Sequence, residues 1–235
     1  MPHEPIHARR APHRLFKARL LEARPLAVLA VACALLCGGS ALAASSILPR
    51  NFTTLSGTVW QFIVDHSARR LNPTCYQSSG NRSESYSCLK AALLSTGLDK
   101  ELQGNGPITL FAPNDAGFAE LAHLMGTRAF NVLMSNPDHL TLLLHTHMVR
   151  GRYTSADLKA RSVPATGRLT LPTLAGTQLE LTFGRFTTSG GRVTVRVGPS
   201  TLRPAWQPYL VGQSTLLDNG SVIPMDMVFL PPSLR

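Results

Sequence analysis

The sequence predicts an α+β fold, in which helices pack on one side of a mostly antiparallel β-sheet. Two observations carry this prediction. Apolar residues recur at helical spacing from about residue 55 to residue 147, whereas apolar and polar residues alternate in short segments after about residue 168. Helices followed by strands, rather than alternating with them, are typical of the α+β class. With 44% hydrophobic and 15% charged residues, the chain has enough apolar material for a packed core.

The first 43 residues predict an export signal. A basic stretch precedes an apolar run at residues 26–37, and Ala41, Leu42 and Ala43 form a small-x-small cleavage site. We therefore assign residues 1–43 to a signal peptide or to an N-terminal membrane anchor, and residues 44–53 to a linker. A lipoprotein that uses Cys37 is a third possibility, although Leu36 is bulky for that role. All three alternatives export the remaining chain.

The predicted helices follow in order from the linker. Helical spacing indicates helices over residues 55–70 and 86–96, the second closed by Gly97. After a short strand at residues 108–112, Pro113 and a cap at Asn114 or Asp115 begin another helix. Two more are expected at residues 128–134 and from Asn136 onward, with a short helical turn capped by Thr154 or Ser155.

The predicted strands fill the rest of the chain. Alternating segments separated by Pro, Gly and Ser indicate strands at residues 168–171, 177–183 and 192–197. Two further strands are expected at residues 209–217 and 225–230, and Pro231 and Pro232 end the second of them.

Two cysteines remain after the apolar run, and we expect them to form a disulfide. Cys75 and Cys88 flank a segment rich in Ser, Asn and Gly, and an even number of cysteines in an exported chain typically pairs. Two cysteines cannot complete a structural zinc site.

Charge and motifs exclude several function classes. Part of the net charge of +10 lies in the basic stretch before the apolar run, and the basic residues from Ala44 onward are scattered rather than arranged in a stripe with aromatics, so we predict no nucleic-acid partner. The sequence lacks the G-x-S-x-G elbow, the P-loop and the G-x-G-x-x-G loop. His139, His145 and His147 invite a metal hypothesis, but His145 and His147 share a face only in a strand. We predict no metal, no cofactor and no catalytic residue.

Three segments resemble signature motifs of the fasciclin-type (FAS1) domain family. Residues 108–121 (ITLFAPNDAGFAEL) are similar to its first motif, residues 142–158 (LLLHTHMVRGRYTSADL) to its central motif, and residues 219–232 (NGSVIPMDMVFLPP) to its last. Their order indicates one FAS1 domain over residues 54–232, with a Cys-containing insertion at about 66–88. The resemblance implies the FAS1 wedge or sandwich of helices and sheet. The sequence departs from the family's pattern at two positions, where Thr146 stands in place of a Tyr and Ile223 in place of a His.

The resemblance implies a set of motif residues with a structural or interaction role. These are Phe111, Pro113, Asp115, Phe118, His147, Gly151, Asp157, Asn219, Gly220 and Asp226. We expect Phe111 and Phe118 to be buried, and His147 to bond backbone groups and tie the turn at residues 149–152 to the neighbouring helix.

The family resemblance also implies a function. We expect a secreted, periplasmic or cell-surface adhesion module without catalytic activity, or alternatively a lipid- or glycan-binding or envelope-structural protein. Its partner would be an unidentified surface or matrix protein, a glycan or a lipid. Membrane contact would come only through an uncleaved N-terminal segment.

Overall fold

The structure is a computed structural model that describes residues 52–67, 75–77, 85–183, 193–197, 210–211 and 213–234. The predicted signal peptide or anchor, residues 1–43, and most of the predicted linker lie outside the described residues. Within the described residues, no helix is both long enough and apolar enough to span a bilayer.

Seven α-helices occur in the described part of the chain. In chain order they are α1 (Val59–Asp65), α2 (Ser87–Thr96), α3 (Asp99–Gln103), α4 (Asp115–Met125), α5 (Thr127–Ser135), α6 (Pro137–Thr146) and α7 (Ser155–Arg161). Short 3₁₀ turns are found at Cys75–Gln77 and Pro232–Leu234.

Several helices begin where the side chain of the preceding residue caps the first turn. The Asn114 side chain accepts a hydrogen bond from the Gly117 amide at 2.9 Å, and Asn136 accepts from the amides of residues 138 and 139, beside Pro137 in the first turn. Thr154 and Asp157 form a reciprocal capping box at the start of α7. At the other end of α2, Gly97 has a φ of 72°, a conformation that favours glycine.

The described strands form two sheets. β1 (Phe52–Thr54), β7 (Ser214–Leu217), β8 (Gly220–Met225), β2 (Ile108–Pro113) and β3 (Met148–Arg150) make a five-stranded sheet in that spatial order. The pairs β1–β7 and β2–β8 are parallel, and the other two pairs are antiparallel. β4 (Arg168–Pro172), β5 (Gln178–Phe183) and β6 (Val193–Val197) make an antiparallel three-stranded sheet.

The five-stranded sheet is covered on both faces, which explains the near-continuous apolar character of β2 and β8. Leu110, Ala112 and Val222 belong to the core cluster formed with the helices. Phe111 and Ile223, from the opposite face, belong to a second cluster formed with the three-stranded sheet. The predicted α+β class, with helices on one side of mostly antiparallel sheets, is confirmed.

Several predicted element boundaries are wrong. The strand predicted at residues 225–230 does not form; β8 occupies Gly220–Met225, and Val228, Phe229 and Leu230 are buried without strand pairing. Within the predicted strand at 209–217, the described residues form β7 only at Ser214–Leu217.

Three elements were not predicted, namely β1, β3 and α3. Phe52 and Thr53 belong to β1 rather than to the linker, because they pair in parallel with β7. β3 forms where a turn was expected, since residues 148–150 pair with β2.

Candidate functional site

The first motif forms a corner between β2 and α4. Phe111 and Phe118 are fully buried, as predicted, and they enter different core clusters. Pro113 is the last residue of β2, and Asn114 caps α4. The Asp115 carboxylate accepts a hydrogen bond from the Cys88 amide at 2.7 Å. Asp115 therefore caps α2, whose own N-terminal residue makes no side-chain capping bond.

His147 is fully buried at the end of α6, where both of its ring nitrogens are bonded. Nδ1 donates to the Leu143 carbonyl at 2.8 Å, and Nε2 accepts from the Phe229 amide at 2.8 Å. The ring stacks on Phe229 at 4.5 Å between centroids. Burial lowers the pKa of His147 from 6.5 to about 4, so the imidazole is neutral at physiological pH.

His147 does not tie down the turn at residues 149–152, contrary to the prediction. Its bonds join α6 to the C-terminal segment. The turn is held instead by two buried hydroxyls: Thr109 Oγ1 donates to the Gly151 carbonyl at 2.8 Å, and Ser221 Oγ donates to the Tyr153 carbonyl at 2.7 Å. The sequence analysis missed Thr109 and Ser221, because isolated hydroxyl residues in strands give no distinctive signal.

Two motif glycines allow close backbone approach. Gly151 has a φ of 110°, and a Cβ there would lie 2.6 Å from the Tyr153 ring. A Cβ on Gly220 would lie 2.0 Å from the Ile108 carbonyl oxygen. Larger residues at either position would force β2, β8 or the adjoining turn to move.

Asn219 connects three parts of the fold. Its Oδ1 accepts from the Val59 amide at 2.9 Å, and its Nδ2 donates to the carbonyls of Leu102 and Gly104 at 2.8 and 2.7 Å. The side chain is buried, so these bonds join α1 and α3 to the start of β8. The side-chain amide therefore uses both of its N–H donors and one of its two acceptor lone pairs.

Asp157 and Asp226 are placed apart from the other motif residues. The exposed Asp157 carboxylate accepts from the Thr154 amide and hydroxyl, and these hydrogen bonds lower its pKa. Half-buried Asp226 has its carbonyl oxygen 2.9 Å from the position that a Cβ of Gly117 would take, so a glycine in α4 lets the C-terminal segment pack closely. The motif residues are thus spread through the framework and do not converge on one surface.

Cys75 and Cys88 form the predicted disulfide, with their Cα atoms 5.3 Å apart. The adjacent Tyr76 packs edge-on against Phe130 at 4.7 Å between ring centroids, and its hydroxyl lies 3.3 Å from Asn131 Oδ1. Within the insertion, the 3₁₀ turn Cys75–Gln77 is therefore fixed to the helical side of the fold. A disulfide fits an oxidising compartment.

A cavity of about 380 Å³ opens beside the turn that connects α3 to β2. We call it the α3–β2 pocket. It is lined by Glu101, Gly104, Asn105, Gly106, Pro107, Ile108, His145, Arg150 and Leu174. His145 Nε2 lies 3.5 Å from Glu101 Oε2, which is longer than a hydrogen bond, and it makes no other polar contact with the described residues.

The α3–β2 pocket contains a cation with no opposite charge beside it among the residues that the structure describes. Within the described part of the chain, no carboxylate lies within ion-pair distance of the exposed Arg150 guanidinium. His139 is exposed on α6, away from this pocket's lining. The described residues include no group of three or more His, Cys, Asp or Glu side chains that could hold a metal ion.

The chain resembles known proteins both in sequence and in fold. Residues 84–231 match the family model of the Fasciclin domain, and the chain belongs to that family. This match begins inside the predicted domain of residues 54–232 and after most of the insertion.

Several relatives support the family. The chain is 30% identical to protein sll1483 of Synechocystis sp. over 66% of this chain and 71% of that protein. It is 25% identical to the transforming growth factor-beta-induced protein ig-h3 of Sus scrofa, over 65% of this chain but only 19% of that protein. A similar solved structure is a FAS1 domain pair from the insect cell adhesion molecule Fasciclin I. It has a TM-score of 0.50 and 18% identity, and the match covers 66% of this chain and 49% of that one.

Proposed function

We propose that the protein is an extracytoplasmic interaction module without catalytic activity that contacts a surface or matrix component in adhesion. The observation that carries this proposal is the Fasciclin domain match over residues 84–231. Support comes from a structurally similar FAS1 domain pair that belongs to a cell adhesion molecule.

The hydrogen bonding of the motif residues supports a structural role for them rather than a catalytic one. His147 uses both nitrogens on backbone groups, Asp115 bonds the Cys88 amide, and Asp157 bonds the Thr154 amide and hydroxyl. A general acid or base needs a free position directed at a substrate. These three groups instead satisfy backbone donors and acceptors within the fold.

The Cys75–Cys88 disulfide supports an extracytoplasmic location. Structural disulfides form and persist in oxidising compartments and are rare where thiols are kept reduced. The basic and apolar segments of residues 1–43 agree with this location, since they have the composition of an export signal.

Small-ligand binding is a second candidate, and the α3–β2 pocket favours it. Its volume of about 380 Å³ falls in the range of small-molecule sites, which starts at roughly 300 Å³. Several charged and polar side chains line it, which suits a polar ligand such as a glycan better than a lipid chain.

Attachment assays in the native host test the adhesion proposal. Deleting the gene should reduce attachment of host cells to their surfaces or to one another, and the full chain supplied in trans should restore it. Protein purified from the host envelope should also be retained by an envelope protein or polysaccharide fraction. Unchanged attachment, together with no retention by either fraction, contradicts the proposal. Full-length protein with free thiols in the cytoplasm contradicts the location.

A further inference from the structure

We propose that the α3–β2 pocket binds a hydroxylated carboxylate, the chemistry of a uronic acid residue in a surface polysaccharide. This inference names the ligand class of the proposed surface contact and rests on the proposed function. It is carried by the Arg150 guanidinium, which has no carboxylate partner among the described residues, and by the mixed lining and the fixed backbone of the pocket.

The cation of the pocket is available to a ligand. Arg150 is the last residue of β3, exposed, and without a carboxylate partner among the described residues. Its backbone is held in register opposite Ile108 of β2, so its stem starts from a rigid strand. A planar guanidinium on a rigid base suits bidentate recognition of a carboxylate.

The remaining polar side chains suit hydroxyl groups. The Glu101 carboxylate accepts hydrogen bonds only, and the exposed Asn105 amide both donates and accepts. His145 also lines the pocket, with its Nε2 3.5 Å from the Glu101 carboxylate. A negative group beside a positive one repels a simple anion but accepts a molecule that carries hydroxyls next to its acid.

The apolar part of the wall suits the C–H face of a sugar ring. Pro107, Ile108 and Leu174 contribute it, and Leu174 is held beside β3 by a 2.9 Å bond from its amide to the Met148 carbonyl. With a volume of about 380 Å³, near the lower end for small-molecule sites, the pocket suits a small ligand rather than a long acyl chain.

The turn that forms the pocket floor is fixed before any ligand binds. The Gly151 amide donates to the Pro107 carbonyl at 2.9 Å, and Asn219 Nδ2 donates to the Gly104 carbonyl at 2.7 Å. Gly106 has a φ of 58°, and a Cβ there would lie 1.9 Å from the Asn219 carbonyl oxygen, so glycine alone fits. A preformed site loses little conformational entropy on binding.

The test is an amide NMR titration of the oxidised exported protein with glucuronate, glucose and inorganic phosphate. Glucuronate should shift the amides of Gly104, Asn105, Gly106 and Ile108, with weaker shifts from glucose and none from phosphate. Arg150→Gln should weaken glucuronate binding roughly tenfold or more and leave glucose binding unchanged. Glu101→Gln should weaken both sugars, because it changes the acceptor for their hydroxyls.

Matched controls separate the pocket from general electrostatics. Arg128→Gln on α5 and Glu120→Gln on α4 remove the same charges at exposed positions outside the pocket lining, and glucuronate binding should be unchanged in both. An oligomeric polyuronate that shifts the same amides at lower concentration identifies the polymer, rather than the free sugar, as the source of the ligand.

Three results overturn the inference: no glucuronate shift at the turn amides, equal weakening in the control variants, or phosphate binding as strong as that of glucuronate. The adhesion proposal is tested separately from the pocket. Retention of Arg150→Gln protein by an envelope fraction, at wild-type strength, overturns the role of the pocket and leaves the adhesion proposal standing.

Discussion

Acidification from about pH 7.5 to about pH 5 should destabilise the domain through His147. The imidazole is buried and neutral, and burial lowers its pKa from 6.5 to about 4. The unfolded chain takes up a proton near pH 6.5, whereas the folded protein takes it up only near pH 4. Stability is therefore fully present above about pH 6.5 and is lost as pH falls toward about 4.

The size of this effect follows from the two pKa values. The complete loss corresponds to a shift of roughly 2.5 pH units, or about 3 kcal/mol. Between about pH 7.5 and pH 5 the loss amounts to about 2 kcal/mol by the same linkage relation. Asp157, whose pKa is lowered from 3.8, stabilises the fold above that value and loses this contribution at lower pH, below the tested range.

Urea unfolding at about pH 7.5 and about pH 5 measures this prediction. His147→Gln should be less stable at the higher pH, because it loses the stacking on Phe229, but its stability should change little between the two conditions. His139→Gln, at an exposed position on α6, should keep the wild-type pH dependence. NMR titration of the wild-type ring supplies a second readout, since His147 should stay neutral down to about pH 4.

The reasoning is refuted if His147→Gln retains the full loss of stability between the two pH values. It is also refuted if the His147 ring titrates near 6.5 in the folded protein, because both results would mean that burial does not hold the imidazole neutral.

Three further predictions concern the disulfide, the hydrogen bonds of the Asn219 side chain and the N-terminus. Replacing Cys75 and Cys88 together by Ser should lower the free energy of unfolding by about 2–3 kcal/mol while the fold is retained; unchanged thermal stability would contradict it. Asn219→Ala should cost about 3 kcal/mol, since two buried backbone groups and one part-buried carbonyl lose their partner, and a denaturant midpoint equal to that of wild type would show that water replaces the amide. N-terminal sequencing of protein from the native host should find Ala44 as the first residue, whereas Met1 on soluble cytoplasmic protein would exclude export.

Much of the helical half could be predicted because its signals are local. Asn114, Asn136 and Thr154 cap the helices that follow them, and Gly97 closes α2 through a left-handed conformation. Each of these residues acts within four residues of its own position, so a pattern in the sequence is enough to locate it.

The sheet boundaries could not be predicted because pairing over long sequence separations decides them. Residues 225–230 read as an apolar strand, yet the chain leaves the sheet after Met225 and buries Phe229 against His147. Pro224 lies within β8, and its carbonyl accepts a hydrogen bond from the Val211 amide beyond the end of the β7 pairing, so the missing N–H of proline breaks no ladder bond with β7.

The α3–β2 pocket gave no sequence signal for a related reason. Glu101, His145 and Arg150 come from a short helix, a longer helix and a three-residue strand, and two of these three elements were not predicted. Their meeting depends on the Asn219 bond to Gly104 and the Gly151 bond to Pro107, which set the turn between them. The two bonds are made by Asn219 and Gly151, which the sequence analysis assigned to the family motifs.

The motif residues support the framework, whereas the pocket residues belong to the proposed binding site, so substitutions can separate the two roles. Asn219 and Gly151 hold the turn but expose little to solvent, so changing them should lower stability together with any binding. Arg150 and Glu101 are exposed and make few contacts within the fold, so changing them should alter binding with little effect on stability. A Fasciclin domain built in this way can keep its framework while its ligand is set by a few side chains around one turn.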